Sequence, residues 1–169
     1  MPILEQITPN NVLTFKTVRL QALQDSPSAF GSTYAREAAF PDEEWSRRAA
    51  NMNGEKRIGY LAMSDGIPCG IAAGFRDEDD PTKAQVISMW VAPEYRRAGI
   101  GAALIGAIRA WARISGVQSL YLMVTSSNHA ALECYKRLGF LMTGKTEPYP
   151  NDPSLIEYEM SQAVPAEND

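Results

Sequence analysis

The run Ala84 to Val91, AQVISMWV, carries no charge and is largely apolar on both faces, and it leads through a short polar turn into a second apolar run, IGAALIGAIRAWARISG. A strand with no polar face has no side that water accepts, so it belongs inside a sheet with other elements packed on both surfaces. In the second run Ile100, Leu104, Ala107, Ile108, Trp111 and Ser115 recur at helical spacing, and Gly116 stops the pattern. A central strand feeding directly into an amphipathic helix is the unit around which the rest of the chain has to be arranged.

The flanking segments supply the other layers. ILEQIT reads as a first strand, and Pro9 with Asn10 opens a helical pattern that sets Val12, Phe15, Val18 or Arg19, Ala22 and Leu23 on neighbouring faces. QDSPSAFGST breaks that helix. A second helix follows Pro41, where PDEEW places acidic groups in a first turn that the helix dipole favours, and it ends near Gly54. RIGYLAMSDGIPCGIAAGF reads as a hairpin turning at SDG, and RDEDDP is an acidic turn. SLYLMV is a strand, NHAALECYKRLG a helix ending at Gly139, and FLMTGKT and IEYEM are two more strands. Strands early and strand–helix alternation in the middle predict a mixed α/β sheet with helices on both faces. One domain over residues 1–162 is expected, with a frayed tail over 163–169.

Composition narrows the function. The chain is 169 residues long and 45% hydrophobic, with a net charge of -4. An acidic protein of this kind has no general attraction for nucleic acid or anionic membrane, so an anionic ligand needs a local cationic feature. Cys69 and Cys134 match no metal-ligand or redox spacing, which fits a reducing cytoplasm, and no metal site is expected. The N-terminus has no basic segment running into an apolar one, and no apolar run approaches the ~20 residues of a membrane span.

The local cationic feature is YRRAGIGAAL, Tyr95 to Leu104. The first N–H groups of a helix lack internal partners and carry partial positive charge, so a helix start is an anion site wherever side chains do not block it. Gly99 and Gly101 remove the blocking Cβ atoms, and Arg96 and Arg97 add fork-shaped donors suited to phosphate. The competing explanation is that these glycines only let the helix pack closely on its strand. Neither G-x-x-x-x-G-K-[ST] nor the dinucleotide pattern is present, since Leu104 stands where the latter's third glycine belongs.

RRAGIG resembles the [Q/R]-x-x-G-x-[G/A] signature of the GNAT superfamily of acyl-CoA N-acyltransferases. The resemblance spans about Gln85 to Phe140, with MWVAPEYRRAGIG upstream and Asn128, Ala131, Tyr135, Gly139 and Phe140 downstream. It implies a mixed, mostly antiparallel sheet of about seven strands, helices on both faces, splayed between the fourth and fifth strands around the pantetheine arm of the coenzyme. Carried over, the Met89 N–H meets the thioester carbonyl, and Trp90 and Val91 continue the stretch along the coenzyme, Val91 pairing with its amides. Arg96, Arg97, Ala98, Gly99, Ile100, Gly101 and Ala102 ring the diphosphate, and Asn128 contacts the coenzyme or caps its own helix.

The implied reaction is direct transfer of an acetyl group from acetyl-CoA to an amine of a small molecule or protein. Tyr135 is the implied acid for the departing sulfur: a thiol titrates near ~8.5 and tyrosine near ~10, so protonation helps without being indispensable. The base is unassigned. Many family members carry a glutamate on the central strand, but AQVISMWV offers only Gln85 and Ser88. Ser88 is a candidate to position a water, and Glu37, Asp77, Glu78 and Glu157 are candidates by charge alone. The sole histidine, His129, is the side-chain type that suits proton transfer near neutral pH, yet it follows Asn128 with no partner in view and reads as a surface residue. The N-terminal helices and SPSAFGSTYAREAAF are the expected acceptor wall, RDEDDP is a candidate to attract a cationic amine, and a homodimer is compatible with the pattern. A non-catalytic acyl-CoA sensor is the alternative left open by the missing strand carboxylate.

Overall fold

The computed structural model describes residues 2–166. The strands are β1 (Ile3–Gln6), β2 (Arg57–Ser64), β3 (Ile67–Arg76), β4 (Lys83–Val91), β5 (Ser119–Thr125), β6 (Leu141–Tyr149) and β7 (Asp152–Ala163). The helices are α1 (Val12–Asp25), α2 (Tyr34–Ala38), α3 (Asp42–Asn51), α4 (Ile100–Ile114) and α5 (His129–Arg137). The strands form one sheet in the order β1-β2-β3-β4-β5-β7-β6, antiparallel everywhere except between β4 and β5. This is the mixed seven-stranded architecture expected from the sequence.

Two apolar layers flank the sheet. On one side Ile100, Leu104, Ile105, Ile108 and Trp111 of α4 pack with Ala72, Val86, Leu120 and Leu122, and Ala131, Leu132 and Tyr135 of α5, with Leu138 just after it, close the rim. On the other, Phe15, Val18, Ala22 and Leu23 of α1 and Trp45 and Ala49 of α3 cover Leu61, Ile71 and Trp90. Leu104 is fully buried, and truncating such a side chain to alanine costs ~2–5 kcal/mol. The close approach of α4 to β3 depends on strand glycines: a Cβ on Gly70 would lie 3.1 Å from Trp90 O and 3.3 Å from Ile100 Cγ2, and one on Gly74 would lie 3.0 Å from Ile108 Cγ2.

The feature that positions the site is where β4 and β5 stop pairing. They pair only over Lys83–Gln85 and Ser119–Tyr121. Beyond Gln85 and Tyr121 the strands part, and the edge of β4 facing β5 has no partner. The same length of β4 is bulged against β3. Ile71 pairs with Trp90 and Ala73 with Ile87, so Ser88 and Met89 together face Ala72, and Ser88 takes a φ of 59°. A bulge bends and twists its strand, here away from β5.

Three segments differ from the sequence reading. A short helix, α2, follows the broken stretch because the Thr33 side chain caps it, accepting from the Arg36 N–H at 3.2 Å. The two C-terminal strands are longer than FLMTGKT and IEYEM, and Phe140 lies in the core ahead of β6. The tail expected to fray from 163 stays attached longer: Ala163 belongs to β7, Val164 is buried and its N–H reaches Gln118 O at 2.8 Å, and Pro165 O accepts from Arg113. Residues 167–169 lie outside the described residues.

Candidate active site where two strands part

Along β4 the backbone alternates its polar groups between the two edges. The Ala92 N–H donates to Cys69 O at 2.8 Å. Trp90, two residues back and opposite Ile71, therefore turns its amide toward β3, while Val91 turns its own toward the gap. The Trp90 side chain is buried on the α1 side, with its indole N–H on Asp25 Oδ2 at 2.9 Å. Of the two residues expected to run along the coenzyme, Val91 has an N–H free to do so and Trp90 does not. The Met89 side chain lies on the α4 side, against the first turn of that helix.

Beyond β4 the chain turns through Pro93–Tyr95 and enters α4 with Arg97 at φ 66° and Gly99 at φ 81°. No side chain caps this helix, and its first turn holds no acidic residue. The first internal bond is Ala103 N–H to Gly99 O at 3.0 Å, so the N–H groups of Ile100, Gly101 and Ala102 stand free of the helix ladder. The Ile100 side chain is buried, leaving its backbone as the part available.

The two loop glycines separate the phosphate and packing explanations. A Cβ on Gly99 would meet nothing within 4 Å, so close packing does not require this glycine; its left-handed conformation does, and the space beside it stays clear. A Cβ on Gly101 would stand 3.0 Å from Met89 Cε, so this position keeps the helix start clear of the bulged strand. Gly101 thus shares close helix–strand packing with Gly70 and Gly74 of β3, and Gly99 is the glycine that packing does not explain.

The arginines behave differently from each other. Arg97 and Ala98 are exposed beside the free amides. Arg96 is engaged: Nε donates to Val91 O at 2.9 Å and Nη2 to Asp25 Oδ2 at 2.9 Å. Asp25, at the end of α1, thus gathers Trp90 and Arg96, and the Trp90 bond, with Ser26 and Arg96, holds its carboxyl below the usual range despite partial burial. Arg96 ties the glycine turn to α1 and occupies the Val91 carbonyl, leaving the Val91 N–H as the group open to the pantetheine pairing that the family resemblance implies.

Tyr135 lies on α5, edge-on to Phe140 at 5.9 Å between ring centroids. Among the described residues nothing hydrogen-bonds its hydroxyl, and the side chain is only partly buried. Burial, with Cys134 adding, pushes the phenol above the ordinary tyrosine value, so it stays protonated through the neutral range. Asn128 caps α5, accepting from the Ala131 N–H at 3.2 Å. His129 is exposed at the start of that helix, as expected.

The four carboxylate candidates fall apart on inspection of their partners. Glu37 has no exposed side-chain surface and is gripped by Arg19, Nε–Oε1 at 3.0 Å and Nη2–Oε2 at 2.9 Å, and by Arg48 at 3.2 Å. Burial alone would raise it, but the Arg19 bonds and charge, with Arg48, win and hold it below the usual glutamate value. It is a poor proton acceptor. Asp77 accepts from the Tyr121 hydroxyl at 2.8 Å and from the amides of Asp79 and Asp80, which lower it and commit it to organising the RDEDDP turn. Glu78 is exposed in that turn. Glu157 is half-buried on β7 opposite Thr125 of β5 and Glu147 of β6; burial first, and then Glu147, pushes it above the usual value.

Glu157 and Thr125 share the α1 side of the sheet. There the Thr125 hydroxyl donates to Ser28 O at 3.0 Å, and Tyr149 and Asn151 hold Phe30 O at 2.7 and 3.0 Å. The SPSAFGST loop is therefore pinned across the mouth of the gap. Below it an open trough of about 520 Å³ runs over Gln85, Tyr121, Met123, Glu147 and Glu159. Arg19, Asp25 and Thr125 were missed in the sequence because nothing local marks them: each acts through a partner at least 18 residues away. Both cysteines are free, no cluster of metal-ligating side chains occurs among the described residues, and none of their helices is long and apolar enough to cross a membrane.

A sheet parted beside an uncapped, glycine-led helix start is an arrangement that can take an extended ligand ending in an anion. The model of the Acetyltransferase (GNAT) family matches residues 20–140, and the chain belongs to that family. It is 32% identical over 117 residues to the [Ribosomal protein bS18]-alanine N-acetyltransferase of Escherichia coli K12, covering 69% of this chain and 74% of that protein. It is 42% identical over 59 residues to an N-alpha-acetyltransferase of Sulfurisphaera tokodaii, where the match spans 34% of this chain and only 35% of that protein. The structure of yncA from Salmonella typhimurium with its cofactor acetyl-CoA shares the fold, with a TM-score of 0.77 at 14% identity over 98% of this chain and 95% of that one.

Proposed function

We propose that the chain is an N-acetyltransferase that moves an acetyl group from acetyl-CoA directly to a primary amine. The observation that carries this is the continuity of the unpaired edge of β4 with the free amides of α4. One offers strand-like hydrogen bonds to an extended arm; the other offers an anion site at its end. The clear space at Gly99, the exposed Arg97 and the absence of any acidic group in the first turn fit a diphosphate held by Gly99, Ile100, Gly101 and Ala102. That local site explains how a chain with a net charge of -4 holds an anionic coenzyme. Arg96 acts from behind, fixing the turn to Asp25 and Val91.

The acceptor enters from the α1 side, past the pinned loop. Its neutral amine attacks the thioester carbonyl, and the Met89 N–H donates to the oxygen as negative charge develops there. One such preorganised donor is worth ~3 kcal/mol. Holding amine and thioester together supplies much of the remainder. Tyr135 delivers its proton to the departing sulfur. Glu157 takes the proton released by the amine, through water: it is the one candidate carboxylate that lies beside the acceptor loop, is not paired with a cation and is pushed up rather than down. The E. coli relative named for alanine acetylation of a ribosomal protein favours a protein amine as acceptor over a small one. A second copy of the chain has a surface to meet in β6, an edge strand exposed up to Tyr149.

Incubating the protein with acetyl-CoA and a panel of peptide and small-molecule amines, while following free thiol, tests the reading. Thiol release that depends on one class of amine supports it. Coenzyme binding with no release above background for any amine would instead leave an acyl-CoA sensor.

A further inference from the structure

The strained residue of β4 is held from outside the strand. Ser88 sits at φ 59°, a left-handed conformation that is unfavourable for any residue with a Cβ and persists only where its surroundings impose it. Arg19 of α1 reaches this residue, with Nη1 donating to Ser88 Oγ at 2.9 Å. Arg19 has little freedom of its own. Its fork is spent on Glu37, its guanidinium lies 4.8 Å over the Phe30 ring, and Glu37 is held in turn by Arg48, which also bonds Glu44 at 3.2 Å and stacks 4.5 Å over Phe40. Residues of α1, α2 and α3 thereby converge on one hydroxyl of β4. Buried ion pairs of this sort are often no better for stability than apolar residues of the same volume, so their presence calls for another benefit.

We propose that Arg19 is a positioning residue of the transfer reaction: clamped by Glu37 and Arg48, it holds Ser88 in its strained conformation and so fixes the bulge that aims the Met89 amide and parts β4 from β5. The inference rests on Met89 being the oxyanion donor. The role is assigned to Arg19 through Ser88 and not through contact with the reacting atoms.

Ser88→Ala tests this with the least disturbance, because it removes one bond and leaves Glu37 paired. Two readouts are needed, amide hydrogen exchange at Trp90 and Ala92, whose N–H groups pair with β3 beside the bulge, and the split between kcat and coenzyme KM. The expected result is exchange faster by about tenfold at those two amides, and kcat lower by about tenfold, since each 1.36 kcal/mol of lost transition-state stabilisation is a factor of ten, with a smaller rise in coenzyme KM because the bulge also sets the gap. Arg19→Lys keeps a cation beside Glu37 but loses the fork, and it should reproduce the loss. The double variant should be no worse than either single one. Wild-type exchange at Trp90 and Ala92 in Ser88→Ala would overturn the proposal, as would losses that multiply in the double variant. If the wild-type protein released no thiol with any amine, the catalytic reading would fall by itself, and the exchange measurement would still decide whether Arg19 sets the bulge.

Discussion

Gly99→Ala separates the two explanations of the glycine turn, because its costs arise from different sources. The added Cβ would have no protein atom within 4 Å, so no clash contributes to its effect on folding. What remains is the backbone: at φ 81° an alanine costs ~1–2 kcal/mol relative to glycine. For a chain of this size ~1 kcal/mol lowers Tm by roughly 2–4 °C, so a fall of about 2–8 °C is expected. The same methyl group intrudes on the clear space beside the amides of Ile100 and Gly101, where a diphosphate would sit. Coenzyme A affinity should therefore fall by at least about tenfold, ~1.4 kcal/mol, measured by calorimetry well below Tm. Gly70→Ala is the control. Its Cβ would press on Trp90 O at 3.1 Å and Ile100 Cγ2 at 3.3 Å, so it should lower Tm with much less effect on affinity. If Gly99→Ala loses stability and still binds coenzyme A as wild type does, the glycine serves the turn alone and the anion-site reasoning is wrong.

Three further outcomes are expected. Tyr135→Phe should lower kcat by about 10²-fold at most, since thiolate is a tolerable leaving group, with coenzyme affinity unchanged; equal kcat in steady-state assays removes the acid role. Glu157→Gln should lower kcat by about 10²-fold or more and remove the acid limb of the pH–rate profile. Because folding raises the Glu157 value, its stabilising contribution is present below the ordinary 4.5 and lost as pH rises through the folded value, so the variant should also be slightly more stable at neutral pH. Glu37 has the opposite sign: folding lowers it, so its contribution is present above 4.5 and lost as pH falls toward the folded value. Glu37→Gln should cost ~3–5 kcal/mol near neutrality by leaving Arg19 without its charge partner, and should flatten acid denaturation curves below pH 4.5.

The parts of the fold readable in the sequence are those set by local periodicity. The apolar run at Ala84–Val91, the helical spacing from Ile100, the SDG hairpin turn and the stop at Gly116 each specify an element within a few residues. The short helix at Tyr34–Ala38 was hidden because a single Thr33 cap creates it inside a stretch that otherwise reads as a break. The attached tail was hidden because the Val164 N–H is held by Gln118 O, just before β5 and distant in sequence. In the site, the free amides of α4 were legible from turn and glycine, whereas the open edge of β4 was implied only by the family resemblance. Side-chain roles were not legible. Arg96 reads as a phosphate ligand until Asp25 is seen beside it, Trp90 reads as part of the coenzyme stretch until its alternation with Val91 is fixed, and Glu37 reads as an available base until Arg19 and Arg48 surround it. Such roles depend on contacts that no local pattern encodes.

Calorimetric titration of the purified protein with coenzyme A, with ATP as a parallel titrant, probes the joint between the parted strands and the α4 amides most directly. Saturable uptake of one coenzyme A per chain, clearly tighter than uptake of ATP, is the expected result, because the β4 edge adds bonds to the pantetheine arm that ATP lacks. No heat with coenzyme A at millimolar concentration, or equal binding of the two ligands, would contradict it.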